Sequence, residues 1–132
     1  MGSYVNALGT IHSLIKTKIN IPIILGSYQT EQFSIYSKYI KERFVFNNEK
    51  EFLFFVKKIK EKYKAYPVIF PTGTDYFTKL LLDNYYILNK IAHLPINPKT
   101  IRKIMEKEYQ YQEAKRIGIP VPNSIWFHFK GC

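Results

Sequence analysis

The stretch Val68-Ile69-Phe70-Pro71-Thr72-Gly73-Thr74-Asp75-Tyr76-Phe77 decides how this chain is read. Val68, Ile69 and Phe70 are apolar and β-prone, and they read as a short strand buried on both faces. Pro71 has no N–H with which to extend a ladder, so the strand stops there. Thr72, Gly73, Thr74 and Asp75 then supply small polar groups, a residue free to take positive φ, and an N-cap. The helix that follows has Phe77, Leu80 and Leu81 as its apolar face. Open α/β sheets place ligand sites at the carboxyl ends of strands in this way, with a strand feeding a glycine-containing turn and a helix N-terminus.

Strands and helices alternate outward from this point. Upstream, Gly2 to Gly9 reads as a loop entering a helix, with Asn6 as N-cap and Leu8, Ile11, Leu14 and Ile15 at helical spacing up to Lys18. Ile21-Pro22-Ile23-Ile24-Leu25 is an apolar strand, and Gly26 to Thr30 is polar turn chemistry. Phe33 to Tyr39 suggests a helical turn or two, and Arg43 to Phe46 a further strand. Asn48 with Glu51 three residues later is a capping-box pattern. Behind it Phe52, Phe55, Val56, Ile59 and Tyr63 form one apolar stripe. Downstream, Asn84 to Asn89 is aromatic and reads as a fourth strand. Asn97-Pro98 opens a short helix with Ile101, Ile104 and Met105 inward, and a second runs from Lys107 to Ile117 with Tyr111, Ala114 and Ile117 on one face. Gly118 ends it, Pro120 and Pro122 prevent continuation, and Ser124 to Phe127 is a final strand candidate. Uniformly apolar strands alternating with helices predict an α/β fold with a doubly wound, mainly parallel sheet.

At 132 residues and 46% hydrophobic, the chain can bury a domain-sized core. No apolar run reaches the ~18 residues of a membrane span and no signal-peptide pattern is present, so a cytoplasmic protein is expected. One cysteine, Cys132, leaves no internal disulfide. The net charge of +10 invites a nucleic-acid reading, but of 20 basic residues only Arg43, Arg102 and Arg116 are arginine. Phosphate and base recognition leans on the planar guanidinium fork. The densest basic run, Lys57 to Lys64, falls on one helix and reads as its solvated face.

No catalytic constellation emerges. His12, His93 and His128 lie far apart without ligand spacing, and no metal site is expected. Asp75 and Asp83 are the only aspartates; Asp75 suits a first-turn charge and Asp83 a helix surface. Neither a nucleophile elbow nor a glycine-rich phosphate loop is present.

Several segments, taken in order, carry a resemblance. Met105-Glu106-Lys107 is followed eleven residues later by Gly118-Ile119-Pro120-Val121-Pro122, with Ala114-Lys115-Arg116-Ile117-Gly118 closing the helix between them. Upstream stand Ser3-Tyr4-Val5-Asn6-Ala7-Leu8-Gly9-Thr10-Ile11, Tyr36-Ser37-Lys38-Tyr39 and Pro71-Thr72-Gly73-Thr74-Asp75. Together these resemble the Rossmann-like domain that precedes ATP-grasp in carboxylate–amine ligases, and the entry into the ATP-grasp domain itself. The resemblance implies a pre-ATP-grasp domain over residues 1–96, and a helical linker with the first segment of an incomplete ATP-grasp domain over 97–132. It implies a family that activates a carboxylate with ATP and Mg²⁺ for attack by an amine. Ser3, Tyr4, Asn6, Thr72, Gly73 and Asp75 would face the substrate pocket, and Lys107 would reach ATP phosphates. The nucleotide-binding lobes, the magnesium-binding acidic residues and the first strand of the family are lacking. A truncated portion without activity or bound cofactor of its own is therefore expected. Its partners would be the missing ATP-grasp portion, or a separate chain supplying it, and small carboxylate and amine substrates; a homo-oligomer is compatible with this. The alternatives are a non-catalytic α/β module that pairs with a separate catalytic chain through its open sheet edge, and a basic nucleic-acid binder.

Overall fold

Asn48 begins the longest helix. Its side-chain oxygen accepts the Glu51 N–H at 2.9 Å, and the Glu51 carboxylate accepts the Asn48 side-chain amide at 2.9 Å and the Asn47 backbone N–H at 2.8 Å. The expected exchange between cap and third residue is made, with its return bond one residue upstream of the usual place. The structure is a computed structural model that describes residues 5–18, 20–28 and 36–123. In chain order, α1 is Val5–Lys16, β1 Ile23–Ser27, β2 Ile40–Val45, α2 Glu49–Tyr63, α3 Asp75–Asp83, α4 Tyr85–Leu88, α5 Pro98–Ile104 and α6 Lys107–Arg116. The described residues thus form a mixed α/β structure with six helices and one small sheet. Contacts divide the chain into two units, Met1–Pro95 and Ile96–Cys132.

In the first unit β1 and β2 pair in parallel, with Leu25 opposite Arg43 and Ser27 opposite Val45. Side chains alternate between the two faces of a strand, and each face takes a helix. On one face Ala7 and Ile11 of α1 cluster with Leu25 and Ile40, and Ile15 and Ile23 pack at the margin. On the other, Phe44 stacks on Phe55 of α2 with ring centres 4.6 Å apart, and Phe46 lies 5.2 Å from Phe52. Gly26 belongs to this second face, where a Cβ would sit 2.7 Å from the Phe44 ring. The absent side chain lets the ring lie across the strand.

Three expectations in this unit need correction. Val68 to Phe70 is not a strand buried on both faces. Val68 makes one parallel bridge to His93, in which Ile69 N–H donates to the His93 carbonyl at 3.0 Å and His93 N–H to that of Pro67 at 2.8 Å. Ile69 is buried, but Val68 and Phe70, which alternate with it and so project from the opposite face, are 56% and 45% exposed. Asn84 to Asn89 is not a strand either. The buried Asn84 donates its side-chain amide to the Leu80 carbonyl at 3.0 Å and offers its own carbonyl to the N–H of Leu88 at 2.9 Å, beginning α4. Phe77, Leu81, Leu88 and Ala92 are all buried, at a spacing that continues the helical period of α3. That stripe outweighs the β preference of Tyr85, Tyr86 and Ile87, of which Tyr86 and Ile87 are left exposed. At the N-terminus, α1 already includes Val5, so Asn6 lies within its first turn and is not its cap.

In the second unit Asn97 caps α5 by accepting the N–H groups of Lys99 (3.0 Å) and Thr100 (3.3 Å), with Pro98 at the first helical position. Beyond α6, Gly118 takes φ +80°. Its N–H bonds the Lys115 carbonyl at 3.2 Å and that of Ile119 bonds Ala114 at 2.9 Å, the two paired closures of a glycine-ended helix. The expected inward positions Ile104 and Ile117 are exposed, and neither helix buries a residue. Each lies at or past the end of its short helix, and this unit has no described sheet to cover them. The strand expected at Ser124 to Phe127, and residues 33–35 of the helical turn expected at Phe33 to Tyr39, lie outside the described residues; of the rest, Lys38 and Tyr39 form a turn that leads into β2. No described helix is long and apolar enough to cross a membrane.

Candidate functional site

Both strands of a parallel pair end on the same side, and here the chain places rings directly after each. Tyr28 follows β1, Phe46 follows β2, and Tyr76 stands in the first turn of α3. The Tyr28 ring centre is 5.3 Å from that of Tyr76 and 6.1 Å from that of Phe46, and Phe46 is 6.2 Å from Phe77. The N-terminal turn of α3, with the loop before it, is thereby held at the carboxyl end of the sheet. The Tyr76 phenol sits above the usual phenol range, mainly because it is partly buried, and also because Tyr28 and the Glu49 carboxylate are near. It is a neutral hydrogen-bond donor at neutral pH.

Thr72 and Gly73 are half-buried, and Asp75, the first residue of α3, is exposed. A carboxylate at that place is favoured by the helix dipole. Thr74 is the capping residue but makes no side-chain capping bond. Thr72 lines a groove of about 360 Å³ whose wall also includes Ala7 and Thr10 of α1. Asn6, one turn before Thr10, is exposed and accepts the Thr10 hydroxyl on its carbonyl at 2.9 Å. The structure therefore brings the Thr72 loop and the first half of α1 to one groove. Ser3 and Tyr4 lie outside the described residues. Lys107 is exposed as the first residue of α6, in the second unit.

Tyr28 and Tyr76 were not foreseen as site residues. The available signal was an aromatic residue just past an apolar strand and another in a helix's first turn, a pattern that core packing also produces. Among the described residues no three His, Cys, Asp or Glu side chains gather to hold a metal ion. The Mg²⁺ of the family that the sequence resembles therefore has no cage among them, whereas Lys107 could offer a nucleotide phosphate a point charge. A separate polar cluster lies at the start of β2. There Glu42 pairs with Lys62 at 2.8 Å and accepts the Tyr63 hydroxyl. The hydrogen bonds from Lys62 and Tyr63 hold the Glu42 carboxyl below its usual range, and that carboxylate holds both partners above theirs. This cluster ties β2 to α2 across their packed face.

Comparison of the chain with protein-family models, with curated proteins and with solved structures gives no match.

Proposed function

We propose that the chain is the substrate-side portion of an ATP-dependent carboxylate–amine ligase of the ATP-grasp kind. Residues 1–96 would be its Rossmann-like, doubly wound domain and residues 97–132 the link into the nucleotide-binding part. The observation that supports this reading is the Tyr28–Tyr76 contact of 5.3 Å, which sets the Thr72–Asp75 loop at the carboxyl end of β1. Ligands of open α/β sheets bind outside strand ends of this kind, where helix N-termini and loop N–H groups favour anions. Thr72 and Gly73 would hold a carboxylate through backbone and hydroxyl donors, Tyr28 and Tyr76 would give its apolar part a wall, and Asp75 would face the amine. Ser3, Tyr4 and Asn6 would complete the pocket, and Lys107 would meet nucleotide phosphate.

The test is to titrate the 132-residue chain with succinate, glutamate and MgATP while following backbone amides by NMR. A carboxylate is expected to shift the amides of Thr72 to Tyr76, and MgATP to shift Lys107 without ADP release. ATP-dependent product formation by this chain alone, or carboxylate titrations that leave Thr72 to Tyr76 unmoved, would refute the proposal.

A further inference from the structure

The groove beside β1 has a backbone edge on each side. Phe46 N–H donates to the Ser27 carbonyl at 3.0 Å, so Ser27, and by alternation Leu25, turn their N–H and C=O groups toward β2. Those of Ile24 and Gly26 consequently point the other way, and no described strand pairs with that edge. Across the groove, Pro67 and Ile69 use their backbone groups on His93, which turns those of Val68 away from it. Ile24, Gly26 and Val68 all line the groove. Its two walls are apolar, with Ala7, Ile11 and Leu14 from α1 on one side and Phe52, Val56 and Ile59 from α2 on the other.

We propose that this groove seats a β-strand donated by another polypeptide: an extended segment of about five residues, the length of β1, apolar on both faces. Three features select this occupant. Backbone donors and acceptors at alternate positions along β1, with another set at Val68, are satisfied by a peptide backbone and not by an apolar small molecule. A strand entering between helices on both faces must be apolar at every position, as in the middle of a parallel sheet. A second copy of this chain offering its own β1 edge would carry two helices with it, and these do not fit a cleft already walled by helices. Thr72 of the proposed carboxylate pocket also lines this groove, but the inference rests on the backbone edges at Ile24, Gly26 and Val68 and not on the ligase reading.

The probe is the peptide Glu-Glu-Val-Ile-Val-Ile-Val-Glu-Glu, titrated into the full chain with amide hydrogen exchange as readout. Its control replaces the central Val by Pro, keeping charge and apolarity but removing one N–H. The first peptide is expected to slow exchange at Ile24, Gly26 and Val68, and the Pro peptide to bind about fivefold more weakly or worse, the loss of at least one net hydrogen bond. Val68→Pro, which spares both bonds to His93, should weaken the first peptide by a similar factor, whereas Val68→Ala should not. Equal binding of the two peptides would overturn the proposal, as would binding that leaves the three amides unprotected. Self-association that protects those amides without peptide would assign the groove to a second copy and overturn it as well.

Discussion

The two edges of β1 have the same apolar strand between them and opposite surroundings. Toward β2 the ladder is closed, and the face above it is filled by Phe44, Phe46, Phe52 and Phe55, with Phe46 and Phe52 wholly buried. Toward Val68 the ladder is open and the walls enclose a groove of about 360 Å³. The residues between the two edges are the same, so the difference in burial is carried by what stands beside β1. Val68 to Phe70 is as apolar as β1, and yet two of its three residues are exposed.

Substitutions can break this contrast. The largest effect is expected at the closed side: Phe46→Ala should cost about 3–5 kcal/mol, because it empties a site packed by four other rings. Urea unfolding followed by circular dichroism would measure it, and a loss below about 1 kcal/mol would mean that the aromatic face is not the core. Gly26→Ala should cost about 1–3 kcal/mol, since its Cβ would press the Phe44 ring off Phe55. Asn48→Ala should cost about 1 kcal/mol by uncapping α2. At the open side Val68→Ala should change stability by no more than about 0.5 kcal/mol, as expected of an exposed side chain. A Val68→Ala cost as large as that of Phe46→Ala would show that the groove is closed in solution.

A smaller, pH-dependent effect sharpens the same contrast at the far end of β2. Glu42 titrates below its usual range when folded, so its contribution is complete above the unfolded carboxyl value and fades as pH falls through the folded one. Lys62 and Tyr63 titrate above theirs, so their part is complete below the unfolded values and fades as pH rises through the folded ones. Glu42→Gln should therefore flatten the stability profile at both its acid and alkaline ends. The shift should be slight, because Glu42 and Lys62 are both partly exposed. Unchanged slopes at both ends would remove this cluster from the account.

What the sequence determined by itself was local. The Asn48–Glu51 exchange, the Asn97-Pro98 start and the Gly118 stop each involve residues within a few positions of one another, and their geometry follows from the backbone groups that a helix end leaves unbonded. The apolar stripe of α2 was legible for the same reason. Two things were decided only in three dimensions. Tyr85 to Leu88 became helix because Leu88 and Ala92 continue the buried stripe of α3, a gain that β preference at three residues could not offset. Val68 to Phe70 stayed a single bridge because a strand becomes a strand by pairing, and its partner edge is a property of the neighbour and not of its own residues. The meeting of Tyr28 with Tyr76, 48 positions along the chain, belongs to the same class. Short-range hydrogen bonds are written in sequence spacing, whereas burial and strand pairing depend on which distant surfaces the fold brings together.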